Sequence, residues 1–531
     1  MAQKWGNGFK IKTMKDKDKK DKKVVFKRYV QNQATLLPPS YEEMVPEKHA
    51  VRVVNEVIER IDISALERSY KGGGTSSYHP RMLLKVLVYG YLRNIYSSRK
   101  IEQALYENVH FMWLTGGAKP DHNTISDFRS KRLKEHLKKV FGEVVMLLAE
   151  QGVLSLKELT LDGTKIEANA NRYTFVWGKA IKVSRERIAT QLKELWSYVE
   201  EVYRDEEQEP NRPEIERIDP EAVERTIREI NEALKEKEID PKIKQKLNYA
   251  KKNWPEKLRE YEEKEKLLAG RKSLSKTDPD ATFMRMKEDH MKNGQLKPGY
   301  NVQASTSGHY ILNYTLGQTT ADTSLLKDHI EDYIESYEQT PEELLADAGY
   351  GSEENYDFLE GHDITPFVKY NYFDKEQTDK KHRENPFNPD NLYYNQESDT
   401  YYCPIGQQMK YIGDRQRKTA NGHIQNLRLY QAKNCEGCPM HGPCHKAAGN
   451  RIIERNPNLI RHRKKVKQLL ESDLGVEKRR QRWKVEAVFG NIKHNKGFKR
   501  FMLRGLEKVT TEIGLIAIAH NLQRLSLNPA N

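Results

Sequence analysis

The sequence predicts a mixed α/β protein interrupted by inserts, on three observations. Apolar and polar residues alternate in short stretches after residue 155 and again after residue 298, which is the period of strands. Runs before, between and after them space their apolar residues by three and four, the period of helices. Two segments break the pattern, one dense in Glu and Lys, the other holding every cysteine. At 531 residues the chain exceeds one ordinary core, so roughly two to four modules are expected.

Charge narrows the partner. Lys and Arg number 91 against 77 Asp and Glu, a formal net charge of +14, and the sequence pI is near 9.2. That excess favours a polyanion, nucleic acid first; a solvated basic surface is the alternative. Mean hydropathy is −0.87, no apolar run is long enough to span a bilayer, and residues 1–23 lack the apolar core of a secretory signal. The four cysteines fall between residues 403 and 444, which argues for a reducing compartment.

Taken in order, residues 1–40 form a Lys-rich tail, expected to be disordered, to grip phosphates loosely or to serve solubility. Residues 41–155 are helical in pattern. Val53, Val57, Ile58 and Ile61 mark one helix, the Lys-Gly-Gly-Gly-Thr stretch at 71–75 breaks it, and Pro80 opens the next through Leu83, Leu87 and Tyr91. Ser97 or Ser98 can cap a third. A fourth opens at Pro120 and runs to Leu148, with Arg129, Lys131, Arg132 and Lys134 on its exposed side. Short helices with a basic last member suit a helix-turn-helix-like DNA reader or, equally, a bundle for dimerisation.

Residues 156–166 read as a strand ending near Asp162-Gly163, where the acid would face a cleft; an Asp-Gly turn is the plain alternative. Residues 180–275 carry three apolar runs, led by Ile188, Val223 and Ile243, and read as a helical hairpin or small coiled-coil insert for dimerisation or DNA clamping. Residues 299–305 and 309–316 read as neighbouring strands joined at Ser307-Gly308. A helix through Leu326 and Ile330 leads to a strand ending at Asp347; a helix from Glu353 and a strand at 364–368 follow. Asp278-Pro279-Asp280 reads as a turn and Asp322-Thr323 as a helix cap. An apolar helix over 506–525 closes the chain, packing the preceding helix against the sheet.

The insert at 373–455 holds Cys403, Cys435, Cys438 and Cys444. One Cys-x2-Cys pair with two outlying thiols has tetrahedral zinc stoichiometry, with His441 and His445 as substitutes; disulfides or unliganded thiols are the alternatives.

Residues 479–504 place one acid, Glu486, among cations. On a continuous α-helix Arg479, Arg482, Glu486 and Lys493 share a face, while Trp483, Val485, Val488, Phe489 and Ile492 dock it. The arrangement is either an ion-pair ladder or a metal-binding carboxylate beside phosphate-holding cations.

Around Asp162, Asp347 and Glu486 the chain resembles the DDE transposases of bacterial insertion sequences. The motifs are Leu161-Asp162-Gly163-Thr164-Lys165, Ala346-Asp347-Ala348-Gly349-Tyr350 and Arg482-x3-Glu486-x6-Lys493, with Tyr78-His79-Pro80-Arg81 and Pro120 to Arg129 similar to the family's helical N-terminal domain. The related signature has Tyr where this chain has Arg479, so no role of that Tyr is carried over. The resemblance implies a ribonuclease-H-like mixed sheet at 156–179, 276–372 and 456–526, after a helical DNA-binding domain at 41–155. It implies metal binding and catalysis by Asp162, Asp347 and Glu486 with Mg²⁺ or Mn²⁺. DNA contacts by Arg479, Arg482, Lys493, Arg129, Lys131 and Arg132 are expected with them. It further implies double-stranded DNA as substrate, both the element's terminal inverted repeats and the target. Hydrolysis at the element end would be followed by attack of the freed 3′-hydroxyl on target DNA, by a homodimer in a bacterial cytoplasm and nucleoid. A nuclease without strand transfer, or a non-catalytic DNA-binding descendant, are the competing readings.

Overall fold

The computed structural model describes residues 39–70, 77–204, 218–286, 294–419 and 421–527. The 71–75 helix breaker and all but the end of the basic tail lie outside them. The strands are β1 (Glu158–Glu167), β2 (Phe175–Trp177), β3 (Ser273–Ser275), β4 (Thr282–Arg285), β5 (Leu296–Ser307), β6 (Tyr310–Gly317), β7 (Glu343–Ala346) and β8 (Thr365–Val368). β2 and β3 form a small ribbon, and the other six form the central sheet, in the order β4-β5-β1-β7-β8 with β6 also on β5. The chain is thus mixed α/β, antiparallel from β6 through β5 to β1 and parallel from β1 through β7 to β8.

Side-chain pattern explains the sheet. Leu159 and Leu161 on β1, Val302 and Ala304 on β5, and Leu344 and Leu345 on β7 are all buried, as strands covered on both faces require. Ser307 pairs with Tyr310 across a two-residue loop, where Gly308 takes a φ of 59° that a β-branched residue would resist. Glu158 and Glu343 lie side by side in the parallel register. Lys478, from the Asp473–Gln481 helix, donates to both carboxylates and removes their repulsion.

The strand does not end near Asp162 as expected, nor is there the alternative Asp-Gly turn: β1 runs on through Asp162 and Gly163 to Glu167. β5 pairs it from Thr160 to Glu167, whereas β7 pairs it only from Glu158 to Thr160. The acid therefore sits in mid-strand, at the point where parallel coverage stops.

The Leu506–Ser526 helix is buried nearly all round, with Ile513, Leu515, Ile516, Ile518 and Leu522 each at 3% exposure or less. It packs on β6 on one side and on the Pro80–Leu92 and Leu137–Glu150 helices on the other. One core thus runs from Val45 through the sheet to Leu525. Asp278 and Asp280 anchor the start of this helix, accepting from the Gly505 and Leu506 N–H groups at 3.2 and 2.8 Å.

The helix expected from Pro120 to Leu148 is segmented into His122–Asp127, a π-turn at Phe128–Arg132, a 3₁₀ turn at Leu133–Glu135 and Leu137–Glu150. Among the described residues, the Glu/Lys-rich insert shows three helices, Gly178–Val202, Pro220–Ala233 and Pro241–Leu268, around one apolar core, rather than a hairpin. The third run packs on both others through Leu247, Ala250, Trp254 and Leu258. The cysteine-bearing insert folds as an antiparallel sheet of five strands, Tyr393–Asn395, Thr400–Tyr402, Gln408–Lys418, Ile424–Ala432 and Ile452–Arg455. No helix among the described residues is long and apolar enough to cross a membrane.

Two buried histidines give the fold a pH dependence. Burial pulls His329 from 6.5 to about 3 and His520 from 6.5 to about 4. Neutral His520 donates through Nε2 to the His309 carbonyl and accepts at Nδ1 from Asn491, at 2.8 and 3.0 Å. The unfolded chain binds more protons than the folded one between the lowered and ordinary values, so these two groups make stability rise with pH from about 4 to about 6.5. Each contributes a slope of up to about 1.4 kcal/mol per pH unit. The denaturation midpoint should be lower at pH 5 than at pH 7, and His520→Gln should narrow that gap; an equal gap in the variant would contradict the assignment.

Candidate active site

The first two acids follow paired strands. β1 and β7 pair as far as Thr160 with Leu345, and Asp162 and Asp347 each lie two residues further along their own chain. Asp162 is buried, and its Oδ1 accepts from the Gly163 N–H at 2.8 Å. Asp347 follows the last residue of β7 and opens a turn in which its Oδ1 accepts from the Gly349 N–H at 2.8 Å.

Glu486 arrives from the helix Trp483–Gly490. Asp162 pairs across the strands with Ala304, so both side chains leave the same face of the sheet. Ala304 clusters with Val485 and Phe489, which seats this helix on that face. Arg482 spans the gap: its guanidinium lies 2.9 Å from Glu486 Oε1 and 3.7 Å from Asp347 Oδ2. The opposing charge both steadies the carboxylates and shows that the cluster accommodates a cation between them.

The opposite face of β1 carries a group that sequence reasoning assigned elsewhere. Asp322 makes no side-chain cap to the turn that follows it. Its Oδ1 accepts instead from Asn301 Nδ2 at 2.7 Å and Gln303 Nε2 at 3.0 Å. Gln303 Oε1 in turn accepts from the Tyr350 hydroxyl. Burial pushes the Tyr350 phenol well above its ordinary value, and the charges of Asp322, Asp162 and Asp347 push it further, against Arg482. The three aspartates and Arg482 therefore all act on one hydroxyl. The sequence signal was the pair Asn301-x-Gln303, two amides on one face of a buried strand.

Several basic residues stand apart from the expected pattern. The predicted helix breaks at Arg482 and turns into a π-helix at Asn491–Asn495, so Arg479, Arg482, Glu486 and Lys493 do not lie on one continuous α-helix. Arg479 donates to the Leu470 carbonyl at 3.2 Å and lies over the Phe373 ring, away from the acids. Lys493 is buried, and Trp483 is 57% exposed rather than docked. Arg129 is also buried: it donates to the Tyr91 hydroxyl at 3.1 Å and the Tyr96 carbonyl at 2.6 Å. Tyr91 reaches on to Glu512 in the C-terminal helix, so Arg129 joins helices rather than facing solvent. Lys131 and Arg132 remain exposed, beside an open groove lined by Tyr70, Tyr78, Asn123 and Thr124.

The four cysteines are free and half-buried, and all line one small cavity with His441, His445 and Arg451. The Gln407 and Arg451 N–H groups point at Cys403 and Cys435 sulfurs, at 3.3 and 3.4 Å. Among the described residues, the sets of three metal-ligating groups that approach within 4.8 Å of one another are Glu353–Asp357–His423 and Asp357–Glu360–His462. Neither the cysteines nor Asp162, Asp347 and Glu486 are so closely gathered.

Two family profiles match the chain. One, described as a transposase DDE domain, covers residues 402–526 and so includes Glu486. The other, described as a transposase domain (DUF772), covers residues 39–131, the N-terminal helices. No curated protein and no solved structure matches.

Gly163 shows how tightly the site is built. A methyl group there would stand 2.6 Å from Gln303 Nε2 and 2.7 Å from Asp322 Oδ1, within a buried network, whereas one on Gly361 meets nothing within 4 Å. Gly163→Ala should destabilise the chain by about 1–3 kcal/mol, read as a shift in denaturation midpoint, and Gly361→Ala should not. Equal effects of the two would show that the crowding is not real.

Proposed function

The chain is a DDE transposase of the insertion-sequence type, and from that premise we propose that Asp162, Asp347 and Glu486 are the catalytic acids for metal-dependent cleavage and strand transfer of double-stranded DNA. The observation that carries the reading is the convergence of three acids from distant parts of the sequence. In support, β1 and β7 pair up to two residues before Asp162 and Asp347, and Arg482 lies near both Asp347 and Glu486. A ribonuclease-H-like core is supported by the sheet. Taken in chain order, β1, β5 and β6 form an antiparallel meander, and β7 and β8 extend it in parallel on the other side of β1.

The donor set fits a hard divalent cation. All three groups are carboxylates, and the cluster already holds a guanidinium between two of them. Mg²⁺ or Mn²⁺ held by Asp162, Asp347 and Glu486 would supply charge stabilisation to the entering and leaving oxygens of an in-line displacement at phosphorus. The protein's own part is to fix the carboxylates on a buried strand, a strand end and a packed helix, and to keep Arg482 beside the scissile phosphate. Lys131 and Arg132 are exposed cations of the N-terminal helices and are assigned to the phosphate backbone of the element's inverted repeats. A homodimer, one protomer for each DNA end, is the assembly this chemistry asks for.

Cys403, Cys435, Cys438 and Cys444 are proposed as a structural zinc site, supported by their shared cavity and the N–H groups aimed at two sulfurs. Purified protein should carry one zinc per chain, and Cys438→Ser should lose it; protein without zinc before any chelator is added would end that assignment.

Asp162→Asn and Glu486→Gln should each lower Mg²⁺-dependent cleavage by about 10²–10³-fold or more while retaining DNA in a gel shift. Undiminished cleavage by either variant would refute the triad. Supplying 3′-hydroxyl element ends with a target plasmid then separates strand transfer, which gives joined products, from nuclease action, which gives none.

A further inference from the structure

We propose that Asp322 is a positioning residue that clamps the Asp347 turn against β1 and so sets the separation of the first two catalytic carboxylates. The proposal rests on the reading of Asp162 and Asp347 given above.

Asp322 lies between β6 and the 3₁₀ turn Thr323–Leu325, on a stretch that has no strand or helix of its own to hold it. Two wholly buried amides of β5, Asn301 and Gln303, supply that hold. Both donate to the single oxygen Oδ1, at 2.7 and 3.0 Å, and Gln303 Nε2 also donates to Asn301 Oδ1 at 3.1 Å. The remaining amide oxygen, Gln303 Oε1, accepts from the Tyr350 hydroxyl, three residues beyond Asp347. Each amide nitrogen and oxygen of the pair is thereby spent on joining Asp322 to the Asp347 turn.

A second set of bonds closes the clamp from the other side. Thr323 Oγ1 donates to the Gly349 carbonyl at 2.6 Å. Asn355 Nδ2 donates to the carbonyls of both Thr323 and Tyr350, at 2.9 and 2.8 Å. The turn is therefore gripped at Gly349, at the Tyr350 carbonyl and at the Tyr350 ring.

Space tells the same story. The Asp322 carboxylate fills the room that a side chain on Gly163 would need, at 2.7 Å, and its other oxygen lies 3.9 Å from where a side chain on Gly349 would begin. Gly163 adjoins Asp162, and the Gly349 N–H donates to Asp347 Oδ1. Asp322 is thus wedged between the neighbours of the two catalytic aspartates. Its Oδ1 is already committed to two amide donors, which marks it as a group that holds others in place rather than one that reaches substrate.

The full chain carrying Asp322→Ala or Asp322→Asn tests this, because asparagine keeps an Oδ1 acceptor for Asn301 and Gln303 while alanine does not. Cleavage of a labelled duplex bearing the DNA that flanks the coding region would be followed against Mn²⁺ concentration. Asp322→Ala should raise the Mn²⁺ half-saturation point by about 10–100-fold, and Asp322→Asn should restore it to within a few-fold of wild type. Hydrogen exchange without metal or DNA should show residues 347–351 losing protection in Asp322→Ala alone. Wild-type metal dependence in Asp322→Ala would overturn the proposal. So would an Asp322→Asn variant as impaired as Asp322→Ala, since the charge rather than the hydrogen bonding would then matter. Should Asp322→Ala fail to fold, Thr323→Val removes only the Gly349 bond and should move both readouts in the same direction by less; no movement would count against the clamp. Failure of the triad itself would appear as cleavage by Asp162→Asn, and the exchange measurement would still report on the clamp.

Discussion

The parallel register of β1 and β7 is the constraint on which the site depends. It ends at Thr160 with Leu345, two residues short of Asp162 and Asp347 on their respective chains, and it sets Glu158 level with Glu343, two like charges that would push the strands apart. Lys478 answers that repulsion by donating to both glutamates from a helix that leads directly into Arg482 and Glu486. One lysine thus fastens the two acid-bearing strands to the segment that delivers the third acid. Strand lengths are unequal: β7 ends at Ala346 while β1 continues on β5, so beyond Thr160 one edge of β1 is no longer paired with β7.

The placement of Glu486 depends on packing on both sides of its helix. Val485 and Phe489 press on Ala304, opposite Asp162. Behind them the Leu506–Ser526 helix is shared between the sheet and the N-terminal helices. Buried polar bonds cross the same boundary, from Arg129 through Tyr91 to Glu512. Burial raises the Glu512 carboxyl above its ordinary range, while the Leu503 N–H, Arg129 and the Met502 N–H oppose that. The N-terminal helices are consequently fixed relative to the acids, so a DNA segment gripped at Lys131 and Arg132 would meet the cleft at a set distance. Such fixed geometry is what in-line chemistry at phosphorus requires.

Much of the architecture was legible from side-chain period. The β5–β6 hairpin, the strand before Asp347, the helix at Glu353 and the C-terminal helix all lie where alternation or three-four spacing places them, because each has a face or flank that must be buried. The basic residues were less legible. Arg129 lies in a π-turn, where an added residue shifts side chains out of α-helical phase, so a face counted at 3.6 residues per turn misplaces it. Asp322 was misread because an acid before a short helical turn matches the local signature of a cap. Its real partners, Asn301 and Gln303, come from a strand on the far side of a hairpin.

By itself the sequence determined the alternation of strands and helices, the basic charge and the place of the cysteines, and it singled out three acids as candidates. These are properties of neighbouring residues, and local pattern carries them. Only the tertiary structure decided that Asp322, Asn301, Gln303 and Tyr350 meet behind β1, that Arg482 pairs with Glu486 while Arg479 turns to the Leu470 carbonyl, and that Arg129 is spent on the core. Those outcomes depend on strand register and on the rotation of helices about their own axes. A shift of one residue in the first, or one extra residue per turn in the second, redirects a side chain completely while leaving composition and period almost untouched.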